Sequence, residues 1–188
     1  MARVLAYVDA PLTRQMATGL IGSEVKLTER EGKTAGINFK ILLTRSTEDE
    51  RSTTTKISDL LPEVVADAVY ESTINRIDNL EIAREKLIAG SANAFKPGVP
   101  IVITNASIST DGKDQNALLS GEGCILYRLR IGEFFVHAYC GKDAENEFDS
   151  FASQPVEVLG LLRYTPSYPV PGAMHLSLGV RVCAVWLR

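Results

Sequence analysis

The stretch "GCILYRLRIGEFFVHAYCG", residues 123–141, has the pattern of a β-hairpin and decides how the rest of the chain is interpreted. A two-residue turn at Gly132 and Glu133, with glycine first as a type II′ turn prefers, pairs Ile131 with Phe134. Because side chains alternate along a strand, this register places only apolar residues on one face, which is predicted to be core. That face consists of Ile125, Tyr127, Leu129 and Ile131 on one strand and Phe134, Val136, Ala138 and Cys140 on the other.

The opposite face of the hairpin mixes cations and aromatic side chains, and it need not be buried. Its predicted pairs are Leu126 with Tyr139, Arg128 with His137, and Arg130 with Phe135. Arg128 and His137 can both donate hydrogen bonds to an anion. A ligand-binding function would therefore use Arg128, His137, Tyr139 and Arg181. The alternative is that these side chains stack on one another and face solvent or a partner subunit.

The composition is that of a globular protein with a sizeable core. The chain has 188 residues, of which 45% are hydrophobic and 23% charged, and this length predicts one domain spanning 1–188. A net charge of −3 gives no sign of a phosphate-neutralising surface, so nucleic acid is not expected as the main partner. Cysteines 124, 140 and 183 lack CxxC spacing, and with only two histidines no metal and no cofactor are expected.

The start of the chain carries no signal for export. Only five apolar residues precede Asp9 in a row, too few for the apolar region of a signal peptide. No segment approaches the roughly 20 apolar residues that cross a bilayer. We therefore expect a cytoplasmic protein with free thiols and no membrane partner.

The first part of the chain, 1–57, is predicted to hold a strand, a short helix and a hairpin. The strand covers 3–8, and Asp9 then caps a helix in which Leu12, Met16 and Leu20 fall four residues apart. The hairpin would join 23–28 to 35–44, and the polar residues 45–56 are interpreted as a loop.

Residues 58–90 are predicted to be helical, with a break near 75–79. An apolar stripe runs over 61–89 at about 100° per residue, and Asp78 would cap a second helix that ends at Gly90. Residues 99–188 are predicted to be almost wholly antiparallel strands. The expected fold class is α+β, a mostly antiparallel sheet or barrel with the helical segment packed on one face.

The last predicted strand, 174–187, is apolar on both faces at its end. Its even positions are apolar throughout, whereas its odd positions begin polar and become apolar at Cys183, Val185 and Leu187. Such a strand would be covered by its own core and by another molecule. Cys183, Val185, Trp186 and Leu187 are therefore the predicted interface residues.

No catalytic motif stands in the sequence, and no catalytic residue is predicted. The "GKT" at 32–34 lacks the upstream glycine of a phosphate-binding loop, and "SGEG" near Ser120 lacks the frame of a nucleophile elbow. The acidic alternation over 143–149 lacks the central glycine of a calcium loop and is interpreted as a solvated turn. We expect a protein that is not an enzyme.

The order of a sheet, one central helical segment and long polar loops resembles the layout of phage tail-tube, tail-terminator and neck subunits. The resemblance implies a ring-forming virion component whose partners are copies of itself and other assembly subunits. It is a resemblance of layout and assigns no functional residue. The alternatives are a β-rich binding or enzymatic domain that uses the Arg128/His137 face, and a small toxin, immunity or regulatory protein.

Overall fold

The computed structural model describes residues 4–22, 24–28, 52–78, 98–119, 122–132, 134–164 and 174–188. The elements in chain order are β1 (Val4–Val8), α1 (Ala10–Ile21), β2 (Glu24–Thr28), β3 (Ser52–Lys56), α2 (Pro62–Ser72), β4 (Arg76–Ile77), β5 (Pro100–Leu119), β6 (Glu122–Ile131), β7 (Phe134–Gly141), α3 (Glu145–Ser150), β8 (Pro155–Tyr164) and β9 (Met174–Leu187). Contacts divide the chain into two compact units, and the single domain expected from the length stays a prediction. The barrel unit is Met1–Asp9 with Thr73–Arg188, and the small unit is Ala10–Ser72.

The small unit contains α1, α2 and a two-stranded antiparallel sheet of β2 and β3. The helix predicted after Asp9 is confirmed, with Met16 buried and Leu20 exposed. The predicted loop over 45–56 is wrong for its last five residues, which form β3. Their three consecutive threonines are β-branched and favour a strand despite their polarity. The predicted strand at 35–44 lies outside the described residues.

The predicted helical segment is confirmed in its first part. α2 covers Pro62–Ser72, and its inward stripe includes the buried Val65 and Val69. The predicted break follows, where Arg76 and Ile77 form β4. Of the predicted second helix, only its first residue, Asp78, is described.

Five strands of the barrel unit close into a ring. β6 pairs with β5 and β7, β7 pairs with β9, and β8 pairs with both β9 and β5. The 20-residue β5 makes closure possible, because its first half pairs with β8 and its second half with β6. β1 joins the ring beside β9, and β4 joins it beside β5.

The α+β class is confirmed, but the sheet is mixed rather than mostly antiparallel. β7 runs parallel to β9, and β4 runs parallel to β5. The first of these pairings arises because α3 and β8 lie between β7 and β9 in the chain, so that β9 returns in the direction of β7. The pattern of successive hairpins in the sequence carried no signal for such a crossover.

The core of the barrel follows the predicted hairpin register. Ile131 pairs with Phe134 and each further pair follows in step, around a turn in which Gly132 has a φ of 60°. Within the predicted core face, every described side chain is at most 2% exposed. The residues concerned are Ile125, Tyr127, Leu129, Ile131, Val136, Ala138 and Cys140.

A short helix closes one end of this core. The sequence predicted strands and a solvated acidic turn here, but 142–144 form a 3-10 turn and α3 follows directly. Phe148 of α3 is fully buried, and its ring centroid lies 4.9 Å from that of Tyr7 and 5.2 Å from that of Tyr127. The buried ring explains the helix: one apolar residue among the acids anchors it to the barrel.

A bulge in β9 reverses the predicted faces of the C-terminal strand. Gly160 pairs with Val182 and Leu159 with Ala184, so Cys183 is the extra residue of β9 at this place. An extra residue of this kind shifts the alternation by one. Val180 and Val182 lie in the barrel core before the bulge, and Val185 lies there after it. Beyond Cys183 the residues on both sides of the strand are buried, with Ala184 and Trp186 outside the barrel core.

Candidate functional site

The outer face of the barrel, meaning the side of β6, β7, β8 and β9 that points away from the core, carries the predicted ligand-binding residues. One row across these strands pairs Arg128 with His137, His137 with Gly179, and Gly179 with Arg163. The next row pairs Leu126 with Tyr139, Tyr139 with Arg181, and Arg181 with Leu161. The four predicted residues, Arg128, His137, Tyr139 and Arg181, are thus brought together on three neighbouring strands.

Phe135 lies between two arginines at the edge of this face. The guanidinium carbon of Arg128 is 5.8 Å from the Phe135 ring centroid, and that of Arg130 is 5.9 Å away. Phe135 is half-buried and Arg130 is exposed. Arg130 Nε also donates a hydrogen bond of 3.0 Å to the carbonyl of Gly132, which fixes the guanidinium beside the turn. The result is a partly open aromatic ring flanked by two positive charges.

His137 and Tyr139 form the floor of the face. Both are only 6% exposed, and their rings meet edge to face with centroids 6.5 Å apart. The sequence did not require this side of the hairpin to be buried, but these two residues are. A ligand would first meet the partly exposed Arg128 and Phe135.

Arg181 is held by a thiol and a carboxylate. One terminal nitrogen lies 2.6 Å from Sγ of the fully buried Cys124, and the other lies 3.5 Å from Oδ2 of Asp9. The backbone N–H of Asp9 donates to the carbonyl of Cys183 at 2.8 Å. This hydrogen bond positions the Asp9 carboxylate, which follows β1, beside Arg181. Arg181 is consequently fixed on the outer face, with its side chain 13% exposed.

Arg163, which was not among the predicted site residues, lies on the same face of β8. Its neighbour Leu162 points into the core, so Arg163 points outward. Its Nε is buried and has no hydrogen-bond partner. The alternation of "VEVLGLLRY" could have indicated the outward position, but only the pairing with Gly179 connects it to His137.

The outer face is locally cationic in a chain that is acidic overall. Its arginines are Arg128, Arg130, Arg163 and Arg181. Asp9 contacts Arg181, Glu157 lies outward on β8, and Asp114 of β5 stands opposite Leu126. Among the described residues of this face, the arginines therefore outnumber the carboxylates. A net charge of −3 for the whole chain conceals this local excess.

Two of the three thiols, Cys140 and Cys183, are held in an unreactive form. Burial raises the pKa of Cys140 to about 12, and burial also raises the pKa of Cys183 well above its usual value. A thiol reacts as its thiolate, so both groups are inert near neutral pH. All three cysteines are buried, and none forms a disulfide among the described residues.

A second cluster of charges lies near α3. Lys113 of β5 contacts Glu145 at 2.5 Å and Asp149 at 2.8 Å, and the hydroxyl of Tyr127 donates to Asp149 at 3.0 Å. Hydrogen bonds from Lys113 hold the pKa values of Glu145 and Asp149 below their usual ones. Hydrogen bonds to Asp149 and Glu145 raise the pKa of Lys113. These contacts hold α3 against the barrel, and the carboxylates of Glu145 and Asp149 both pair with Lys113.

Other classes of site were sought in the described part of the chain. It contains no group of three or more side chains suited to hold a metal ion. Of the helices described, none has the length and apolarity required to cross a membrane.

The predicted interface residues are mostly enclosed by the chain itself. Cys183 and Val185 are fully buried, and Trp186 is 2% exposed. Leu187 remains partly exposed and packs against the barrel core. The odd-numbered Val185 and Leu187 thus turn inward, opposite to the side on which an interface was predicted.

No protein-family model matches the chain, and no curated protein matches it. Among solved structures, the chain is similar to a protein described as an aspartyl-tRNA synthetase from Leishmania major Friedlin, with a TM-score of 0.36, 15% identity and coverage of 59% of this chain and 20% of that chain. An aspartyl-tRNA synthetase from Entamoeba histolytica has a TM-score of 0.32, 16% identity and coverage of 54% and 19%. The chain spans about a fifth of each of these proteins, and scores this low establish no shared fold.

Proposed function

We propose that the barrel unit binds single-stranded nucleic acid across the outer face of β6 and β7. The observation that carries the proposal is Phe135, a partly open aromatic ring with Arg128 and Arg130 within 6 Å. Proteins that bind single strands combine aromatic rings, on which bases stack, with cations that track the phosphate backbone. Phe135 would stack one base while the two arginines contact phosphates on either side.

The connectivity of the barrel supports this assignment. A five-stranded barrel of the oligonucleotide/oligosaccharide-binding type uses its second and third strands as the ligand face. Here β6 and β7 are the second and third strands of the closed ring that begins at β5. Fold alone does not determine function, so the likeness matters only because the side chains on those two strands have the required chemistry.

The charge of the face favours nucleic acid over a neutral sugar. A neutral ligand would use the aromatic ring but would leave the arginines without a function. Nucleic acid was not expected from the net charge, but binding depends on the local field at the face rather than on the sum over the chain.

Fluorescence anisotropy with a labelled oligodeoxythymidine of about 12 nucleotides, within the usual site size of such barrels, tests the proposal. Phe135→Ala should weaken binding by about 1–3 kcal/mol, and Arg128→Gln should weaken it and flatten its salt dependence. Arg76→Gln is the matched control, because Arg76 lies on β4 and bonds to the Thr73 carbonyl. Wild-type protein that does not bind, or variants that bind equally well, would refute the proposal.

A structural subunit of a homo-oligomeric or virion assembly stays a prediction. It rested on the doubly apolar end of β9, and those side chains are now accounted for within one chain. Light scattering tests it directly: a ring or larger oligomer would support assembly, and a monomer at every concentration would exclude it.

A further inference from the structure

Arg163 and Arg181 are diagonal neighbours on β8 and β9. Leu161 pairs with Arg181, and Arg163 pairs with Gly179. Each arginine is therefore two residues along its strand from the partner of the other, on the same face. Side chains in this relation have Cβ atoms about 7–8 Å apart, within reach of each other when they are long. Two like charges so placed repel unless an anion lies beside them.

The anion supplied by the chain meets only one of the pair. Asp9 contacts Arg181 at 3.5 Å. Within the described residues, Arg163 forms no ion pair, and its Nε is buried without a hydrogen-bond partner. Buried donors are nearly always paired in folded proteins, so an unpaired guanidinium nitrogen on a ligand face calls for a partner.

The surroundings suit a phosphate group. Gly179 pairs with Arg163 on one side and with His137 on the other, so no side chain separates these two on the outer face. A guanidinium presents a planar fork of donors that matches phosphate oxygens, and two forks can share one phosphate. Each arginine is partly exposed.

We propose that a phosphate of the bound ligand is held between Arg163 and Arg181, beside Gly179. This subsite extends the ligand face from β6 and β7 across β9 to β8. It rests on the proposed function for the identity of its ligand, a phosphodiester of a nucleic-acid strand, but the phosphate chemistry can be tested by itself.

The first test measures the affinity for the labelled oligodeoxythymidine at several salt concentrations. Arg163→Gln should lower the slope of log affinity against log salt by about 0.7, the value for one phosphate contact on a single strand. Arg163→Lys keeps the charge and should retain most of the slope. Phe135→Ala should weaken binding but leave the slope unchanged. A wild-type slope in Arg163→Gln would overturn the subsite.

The second test separates the subsite from the nucleic-acid proposal. Inorganic phosphate should raise the thermal midpoint of the wild-type protein above that in chloride at equal ionic strength, because it binds the folded state. Arg163→Gln should lose that gain, and Arg76→Gln should keep it. If the oligonucleotide does not bind but this pattern holds, the proposed function fails and the phosphate subsite stands. An equal gain in wild type and Arg163→Gln would overturn the subsite even if the oligonucleotide binds.

Discussion

Gly160 on β8 provides the sharpest test of how the barrel closes. An alanine Cβ at this position would lie 2.7 Å from the backbone carbonyl oxygen of Arg181 and closer still to a methyl group of Val180. Neither neighbour can yield easily, because one is backbone of the bulged strand and the other is 1% exposed in the core. Gly160→Ala must therefore push β8 away from β9 where the bulge lies.

Overpacking of this kind costs about 1–3 kcal/mol, and the contact with backbone places the expected cost at the upper end. For a unit of this size, that loss lowers the thermal midpoint on the order of 5–10 °C. The assay is thermal unfolding followed by circular dichroism, with urea unfolding to obtain the free energy.

Gly123→Ala is the matched control within the same unit. Its added Cβ would meet Cε of Lys142 at 3.1 Å, but that atom belongs to the end of a flexible, exposed side chain that can move away. We expect a change within about 0.5 kcal/mol. Equal stability of Gly160→Ala and wild type would refute the bulged pairing of β8 with β9.

Three further outcomes follow from the packing and the charge clusters. Leu187→Glu should lower the free energy of unfolding measured in urea, because Leu187 packs against the barrel core; unchanged stability would contradict the inward turn of β9. Cys140 and Cys183 should resist iodoacetamide at about pH 8 in the folded protein, since burial raises both pKa values. Mass spectrometry measures the rate of modification, and equal rates in the folded protein and in urea would contradict this prediction. Lys113 holds the pKa values of Glu145 and Asp149 low in the folded protein. The ion pairs therefore stabilise the fold fully above the usual carboxyl pKa values, and this stabilisation is lost as pH falls through the lowered pKa values. Lys113→Met should therefore lose less stability than wild type between about pH 7 and about pH 3, and parallel pH profiles would contradict the ion pairs.

The central hairpin could be predicted from the sequence because its determinants are local. The turn at Gly132 sets the register, and strict alternation on both sides then assigns every side chain to a face. The same register correctly placed Arg128 beside His137. Burial of His137 and Tyr139 could not be predicted, because the hairpin by itself does not show that β7 pairs with β9.

The C-terminal strand shows where local patterns fail. Up to Val182 the alternation indicates one inward face, but residues 183–187 are all apolar and do not reveal that a bulge changes which side is inward. The bulge arises where β9 meets β8 on one side and β1 on the other. The apolar residues on both sides were interpreted as a sign of an intermolecular surface; this stays a prediction, although Cys183, Val185 and Trp186 are buried within one chain.

The ligand face was predicted only in part for a related reason. Tyr139 meets Arg181 through a parallel pairing, and Arg163 reaches the face only through β8. Such contacts join residues far apart in the chain, so composition and spacing cannot reveal them. The cationic character of the face was likewise invisible in a net charge of −3.

The most direct test of the proposed function is a residue-resolved map of where a single strand binds. Backbone amide shifts of the 15N-labelled protein would be recorded during titration with an oligodeoxythymidine of about 10 nucleotides. Binding on the outer face predicts the largest changes at 126–130 and 135–139, with smaller changes at Arg163 and Arg181 and little change around Lys113. The absence of shifts, or shifts concentrated around Lys113 and α3, would contradict a nucleic-acid face on β6 and β7.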